Sequence, residues 1–542
     1  MKGLMQDWPL LVPTILEHAC TYHGTRQIIS RTTEGPIHRY TYRDLARRAR
    51  KLASALDRSG VKQGDIIATM AWNGYRHMEI WYGLMGHGAI VHTLNPRLFC
   101  DQLAYIINHA EDRYIFLDLT FVPLLEALQE RLPVVKGFII MTDDEHMPET
   151  SLKNPICYEE FLSRGDDDYQ WPQLDENTAC GLCYTSGTTG NPKGVLYSHR
   201  SNVLHALTTN GADALGLKSQ DSVMAVVPMF HANAWSLVFS APMAGANTVM
   251  PGALMDGASI FEMLKVGKVT LTAAVPTIWQ MLIAYLEESG ERLEHLQRVV
   301  IGGAACPPSM IETFEKKYDT QVIHAWGMTE MSPLGSLCTI KGGLEDLSAE
   351  EKQALKTKQG RPPYMVAMKV VDDDGNELPR DGKAFGHLLV KGPCVASDYH
   401  KNDDEPIVDD EGWFDTGDVS TLDQHGYMQI TDRAKDVIKS GGEWISTIDV
   451  ENLAVGHEQV AEAAVIGIAH PKWDERPLLV IVRKPGSDVS GDEIKAYLTG
   501  KLAKWWMPDD VVFVDEIPHT ATGKIHKLTL RETFKDYVLS TA

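Results

Sequence analysis

The chain has 542 residues, 44% of them hydrophobic and 23% charged, ordinary values for a folded protein long enough for more than one domain. Its formal net charge is -22 with no long basic stretch, which argues against a nucleic-acid partner held by clustered Lys and Arg. No apolar run reaches the ~18 residues of a membrane span; the most apolar stretch, 236–250, is interrupted by Pro242, Gly245 and Asn247.

In chain order, Thr41 and Asp44 form a helix-start signal. Leu45, Ala49, Leu52 and Leu56 then recur at helical spacing until Gly60. The pattern predicts a strand over 66–70, a helix over 78–85, a strand over 90–93, a helix over 101–109 and a strand over 114–117. Apolar strands over 180–185 and 195–198 flank a glycine-rich turn. The rhythm returns with strands over 223–227, 269–274 and 298–301 and helices over 277–288 and 308–317. Such alternation predicts an α/β fold in which helices cover parallel sheets. After about residue 362 the character changes: 366–371 and 387–390 read as strands joined by turns, and turns continue to Thr431. A compact α+β segment follows, with strands over 463–466, 478–482 and 511–514 and a helix over 491–502. The boundary is expected near 431–436, giving a large multi-subdomain N-terminal domain, 1–432, and a small C-terminal domain, 433–542.

The N-terminus has Asp7 soon after Lys2 and no apolar secretory core, and the last residues, Val538 to Ala542, are not a peroxisomal tripeptide. A cytoplasmic protein is the simplest expectation. The eight cysteines are scattered and read as reduced core thiols, although Cys180-x-x-Cys183 has the spacing of a redox or zinc pair.

The most informative stretch is Tyr184-Thr-Ser-Gly-Thr-Thr-Gly-Asn-Pro-Lys-Gly194. Glycines let backbone N–H groups converge on an anion, hydroxyls at Thr185, Ser186, Thr188 and Thr189 add donors, and Lys193 adds charge beside Gly187. Lys193 follows Gly190 by three positions and Gly194 replaces the magnesium-binding Ser or Thr, so this is not a Walker loop. The bland alternative is a flexible Gly/Ser/Thr loop.

Other segments add chemistry. In His324-Ala-Trp-Gly-Met-Thr-Glu330, Glu330 offers a carboxylate for magnesium, Thr329 a donor to phosphate and Trp326 a flat face for a base. Gly302-Gly-Ala-Ala305 permits close ligand approach or simply tight packing. In Phe414-Asp-Thr-Gly-Asp418, read as a turn, Asp418 could accept two ribose hydroxyls at once. Arg433, in the charged and glycine-bearing stretch 431–442, could reach ribose or phosphate, or belong to a solvated linker. Lys524, in Pro518-His-Thr-Ala-Thr-Gly-Lys524, stands on a glycine-flanked turn and is free to project into a cleft; a surface lysine is the alternative. His231 follows an apolar strand, where a buried satisfied histidine is usual, and no zinc-type spacing accompanies it.

Together these motifs, in this order and over nearly the whole chain, resemble the adenylate-forming superfamily of acyl-CoA synthetases, luciferases and peptide-synthetase adenylation domains. His92-Thr-Leu-Asn-Pro-Arg-Leu98 and Ile107-Asn-His-Ala-Glu-Asp112 resemble medium-chain fatty acyl-CoA ligases and 3-methylmercaptopropionate CoA ligases in particular. The resemblance implies a large domain and a small mobile one with the active site between them. It implies an ATP site formed by Thr185–Lys193, Gly303, Ala304, Ala325, Trp326, Gly327, Met328, Thr329, Asp418 and Arg433, with magnesium at Glu330 and Thr185. Many members have tyrosine where this chain has Trp326. Lys435 falls at the hinge position, Lys524 matches the adenylation lysine, and Lys439, Gly441 and Gly442 match a segment that enters the site with coenzyme A. Phe230, His231, Asn233, Trp235 and Gly302 are the expected acyl-pocket residues, with His231 between the acyl and thiol sites.

The implied reaction is an ATP-dependent acyl-CoA ligation through an acyl-adenylate, releasing AMP and pyrophosphate. The substrate would be a short or medium-chain carboxylate such as 3-methylmercaptopropionate. A medium-chain fatty acyl-CoA synthetase, an adenylating enzyme with another acceptor, a luciferase-like oxygenase and a noncatalytic nucleotide sensor remain the alternatives. The residues leave oligomeric state open, and the resemblance is compatible with a homodimer.

Overall fold

A computed structural model describes residues 1, 3–185, 191–402, 405–441, 443–519 and 525–542. Two large sheets dominate. One has seven strands in the order Pro155–Cys157, Gly137–Ile140, Tyr114–Leu117, Ile66–Met70, Ile90–Thr93, Ala179–Tyr184 and Gly194–Ser198. They run parallel except for the last, which turns back antiparallel on Ala179–Tyr184. The other has eight strands, from Leu334–Leu337 and Gln321–Gly327 through Arg298–Ile301, Leu271–Ala274, Ser222–Ala225 and Asn247–Met250 to the hairpin Gln27–Arg31/Ile37–Thr41. Its interior strands are parallel and its two end pairs antiparallel.

The helices between these sheets show why the sequence pattern works. Helix Tyr42–Arg58 begins at Thr41, whose hydroxyl accepts from the Asp44 N–H while the Asp44 carboxylate accepts from the Thr41 N–H. Its stripe of Leu45, Ala49, Leu52 and Leu56 is buried, against helix Tyr75–His87 among other neighbours. Each buried leucine contributes roughly 1.5–3 kcal/mol relative to exposure. Trp81, Tyr42, Tyr82 and Phe239 fill the same core.

A four-stranded antiparallel sheet joins the expected strands, here Ala367–Val371 and Phe385–Lys391, to Phe414–Leu422 and Met428–Arg433, which replace the expected run of turns. The stretch read as a turn, Phe414 to Asp418, lies inside a strand. His387 faces Val419 and Leu389 faces Asp415, so 416–418 bulge opposite one residue, with Gly417 at φ +67°. The bulge supplies the local kink that glycine and two aspartates suggested. Other boundaries shift as well. The helix expected over 491–502 ends at Leu498, where Thr499 is extended and Gly500 is left-handed. The helix over 308–317 is α-helical only over Pro308–Glu312 and continues as a wider turn, Thr313–Lys317.

A final sheet gathers Glu443–Ile445, Ile438–Ser440, Asp474–Arg483, Val460–His470 and Asp510–Phe513, covered by helices Thr447–Val455 and Gly491–Leu498 around a core of its own. Among the described residues no helix is long and apolar enough to cross a membrane.

Candidate active site

A cavity of ≈ 1070 Å³ is lined by residues of both large sheets, the four-stranded sheet and the C-terminal segment. Thr185, Asn191 and Lys193 line it at the hairpin that joins strands Ala179–Tyr184 and Gly194–Ser198. The Thr185 N–H donates to the Lys193 carbonyl at 2.9 Å, closing the neck of the glycine-rich loop. Ser186, Gly187, Thr188 and Thr189 lie outside the described residues. Lys193 holds its Nζ 5.0 Å from the centroid of the Tyr399 ring, a cation–π contact. The neighbouring thiols take no part: burial raises the Cys183 pKa and pushes Cys180 up to about 12, and both are free.

The Trp326–Glu330 motif caps strand Gln321–Gly327. The Met328 N–H donates to the Pro333 carbonyl at 3.0 Å and the Tyr197 hydroxyl to the Thr329 carbonyl at 2.7 Å. Glu330 is buried yet lines the cavity, and accepts a hydrogen bond from the Tyr399 hydroxyl at 2.8 Å. Burial, with the Glu330 carboxylate beside it, holds the Tyr399 phenol well above its ordinary pKa, so it remains a donor. Among the described residues no group of three or more His, Cys, Asp or Glu could hold a metal. One buried carboxylate on the cavity fits magnesium, which keeps waters and shares ligand oxygens instead of sitting in an all-protein cage.

Trp326, Asp418 and Arg433 meet directly. Asp418 is 2% exposed; it accepts from Trp326 Nε1 at 2.9 Å and pairs with Arg433 Nε at 2.8 Å. The β-bulge and the cross-strand register, which sets Asp418 opposite Arg433, produce this geometry. Tryptophan therefore adds a donor to the carboxylate as well as an aromatic face. The indole packs over Gly335, where an added methyl would lie 2.3 Å from Trp326 Cζ3. Gly335 is the extra residue where the register between Gln321–Gly327 and Leu334–Leu337 slips.

Gly302, Gly303, Ala304, Ala325, Gly327, Met328 and Thr329 also line the cavity. Gly303 has φ +79°, and a methyl on Gly302 would sit 2.8 Å from the Ala325 carbonyl oxygen and 3.2 Å from Trp235 Cη2. Trp235 reaches this spot through an unusual turn: Ala232, Asn233, Ala234, Trp235 and Ser236 all have left-handed φ, from 42° to 69°. Each non-glycine residue in that region costs roughly 1–2 kcal/mol. Asn233 does not line the cavity as expected; its amide donates to Asn202 Oδ1 at 3.1 Å and ties down the strained turn. Phe230, His231 and Trp235 do line it, together with Thr209 and the apolar Leu215, Leu237 and Ala273.

From the C-terminal segment, Lys435, Asp436, His519, Ile525, His526, Lys527, Leu528 and Arg531 line the cavity. Burial lowers the Lys435 pKa, opposed by Asp436. Lys524 and Gly442 lie outside the described residues. Lys439 and Gly441 are not on the cavity: their N–H groups donate to Glu475 Oε2 at 3.1 Å and the Trp473 carbonyl at 2.8 Å. His519 and 525–531 thus share the cavity with Glu330 and Asp418, while Lys439 and Gly441 do not.

The model of an AMP-binding enzyme matches residues 16–400, and that of an AMP-binding enzyme C-terminal domain matches 449–524. The chain belongs to the AMP-binding enzyme family. Within it, this chain is an AMP-forming acyl-CoA ligase. It is 50% identical over 536 residues to a 3-methylmercaptopropionyl-CoA ligase of Ruegeria lacuscaerulensis, covering 99% of each chain. It is 47% identical over 542 residues to a medium-chain-fatty-acid–CoA ligase of Ectopseudomonas oleovorans, covering 100% of this chain and 99% of that one. Among solved structures, an anthranilate CoA ligase in complex with anthranoyl-AMP superposes with a TM-score of 0.86 at 26% identity, covering 98% of this chain and 99% of that one.

Sequence reasoning missed Tyr399, Gly335 and Lys527. Tyr399 is separated from Glu330 by 69 positions and carries no motif of its own. Gly335 follows a cis Ser332–Pro333 peptide in a short strand whose pairing only the fold reveals.

Proposed function

We propose that this AMP-binding enzyme activates a short or medium-chain carboxylate, 3-methylmercaptopropionate among them, in two steps at the cavity. In the first, a carboxylate oxygen attacks the α-phosphorus of ATP, forming the acyl-phosphate bond and expelling pyrophosphate. In the second, the thiol sulfur of coenzyme A attacks the acyl carbon, AMP leaves with the bonding electron pair, and the thiol proton passes to solvent. The observation that carries this reading is the convergence on one cavity of the Trp326–Asp418–Arg433 cluster, a buried carboxylate, Glu330, and the apolar side chains Phe230, Trp235, Leu215 and Leu237.

The chemistry requires two anions to meet. Magnesium bound at Glu330 would neutralise phosphate charge and polarise its oxygens. Lys193 and the loop donors would hold the departing β- and γ-phosphates. Asp418 would accept the two ribose hydroxyls, with Arg433 and Trp326 fixing its orientation. Lys524 would bridge carboxylate and α-phosphate; one charge pair at ~4 Å and an effective dielectric of ~20 is worth about 4 kcal/mol. Applied wholly to the transition state, that is about a thousandfold in rate. Lys524→Ala should therefore nearly abolish pyrophosphate exchange yet keep thioester formation from supplied acyl-adenylate; near-normal exchange would refute the role. Rotation at Lys435 would then exchange Lys524 for Lys439, Gly441 and Gly442, with His231 lining the thiol channel.

The medium-chain reading draws on Leu215, Leu237 and Ala273, which add apolar wall to the same cavity as Trp235. One methylene changes discrimination by about 1–3 kcal/mol. A panel of 3-methylmercaptopropionate, butyrate, hexanoate, octanoate and decanoate, assayed for CoA-dependent AMP release, ranks them by kcat/KM. A maximum at 3-methylmercaptopropionate or butyrate supports the short-chain reading, and a maximum at octanoate or decanoate replaces it with the medium-chain one. AMP release indifferent to coenzyme A would refute the thioester step.

A further inference from the structure

On the wall of the cavity lies a largely buried charge cluster, Asp432, Glu451 and Lys527 with Thr447 between them, to which the reaction above gives no role. Asp432 is the next-to-last residue of strand Met428–Arg433 of the four-stranded sheet, opposite Val419, and is 1% exposed. Its Oδ2 accepts from both the N–H and the hydroxyl of Thr447, at 2.8 and 2.7 Å, at the start of helix Thr447–Val455. The Thr447 hydroxyl in turn accepts from Lys527 Nζ, and Lys527 pairs with Glu451 Oε1 at 2.8 Å. Thr447 is fully buried and Lys527 is 9% exposed. Burial lowers the Lys527 pKa, but Glu451 and then Asp432 outweigh it, so the amine stays charged.

Lys527 stands directly after the stem of the stretch that carries Lys524. His519 and Ile525 pair as an antiparallel bridge, and the His526 N–H donates to the Pro518 carbonyl at 2.7 Å. The stem is pinned on one side by His519 against Glu462 at 2.6 Å and on the other by Lys527. Three of the cluster's four members, Thr447, Glu451 and Lys527, follow Lys435. Asp432 alone precedes it.

We propose that Asp432 is a positioning residue that latches the C-terminal segment with His519 and 525–531 on the cavity, favouring the adenylate-forming step over the thioester step. This rests on the two-step reading with Lys435 as the hinge. Its physical logic is the asymmetry of the cluster. When the hinge turns, Lys527 keeps Glu451 and no charge is left buried alone. Asp432 gives up the two Thr447 donors and gains water. The latch on this carboxylate is therefore two hydrogen bonds, with one more across the hinge from the Ser446 hydroxyl to the Thr431 carbonyl, strong enough to bias the orientation and weak enough to open each turnover.

The test measures the two half-reactions separately in Asp432→Ala and Asp432→Asn, with thermal melting alongside. The expected result for Asp432→Ala is a loss of about tenfold or more in carboxylate-dependent pyrophosphate exchange. Thioester formation from supplied acyl-adenylate should be unchanged or faster. Asp432→Asn keeps the shape and one acceptor and should show the same split with a smaller loss, which covers the case in which the alanine variant does not fold. Equal losses in both half-reactions, or intact exchange, would overturn the latch. A wild-type chain without carboxylate-dependent exchange would overturn the two-step reading itself, and the latch with it.

Discussion

Gly335→Ala tests whether the nucleotide face is built as described. The added methyl would stand 2.3 Å from Trp326 Cζ3, 2.5 Å from Cε3 and 3.0 Å from Met331 Cε. Carbon atoms pack at about 3.5–4.0 Å, so the indole must retreat by roughly 1 Å. A shift of that size stretches the 2.9 Å bond from Trp326 Nε1 to Asp418 beyond useful range. A hydrogen bond to a charged group is worth about 1.5–3 kcal/mol, so AMP should bind roughly tenfold to a hundredfold more weakly. Isothermal titration with AMP reads the affinity, and calorimetric melting checks that the fold persists. Trp326→Phe removes the same donor without the clash, so the two substitutions should not add when combined. AMP affinity within twofold of wild type in Gly335→Ala, or full additivity with Trp326→Phe, would refute the reasoning.

Two further predictions concern the groups around the cavity. Tyr399→Phe removes the 2.8 Å donor to Glu330 but keeps the ring beside Lys193, so KM for magnesium-ATP should rise about tenfold with little change in melting; an unchanged KM would remove Tyr399 from the site. The bond to Glu462 raises the His519 pKa above 6.5 against an opposing effect of burial. Its stabilising contribution is thus complete below pH 6.5 and lost as pH rises through the folded-state pKa. Glu462→Gln should lower the His519 titration midpoint followed by NMR and flatten that stretch of the stability profile; an unmoved midpoint would contradict the pairing.

Much of this architecture is legible in the residues because local and tertiary demands agree. Tyr114–Leu117 and Arg298–Ile301 are short runs bounded by polar residues or glycine, and they, like Ile66–Met70 and Ile90–Thr93, are largely buried parallel strands. The run 414–431 hid two strands because antiparallel strands tolerate aspartate and glycine at a bulge, where local chemistry reads as a turn. At the site, glycines, hydroxyls and charges announce themselves, so Thr185, Glu330, Asp418 and Arg433 stand out. Tyr399 and Gly335 do not, because each acts only through a neighbour the fold delivers: a carboxylate for one, an indole for the other. Asn233 misled for the opposite reason. Its place beside His231 suggested the pocket, but the left-handed turn points its amide at Asn202.

The central claim is that the carboxylate is activated as an adenylate before coenzyme A takes part. Exchange of labelled pyrophosphate into ATP, measured with magnesium and each carboxylate of the panel but without coenzyme A, tests it most directly. The expected exchange depends on the carboxylate and continues undiminished in the absence of coenzyme A. Exchange that appears only when coenzyme A is added would contradict it.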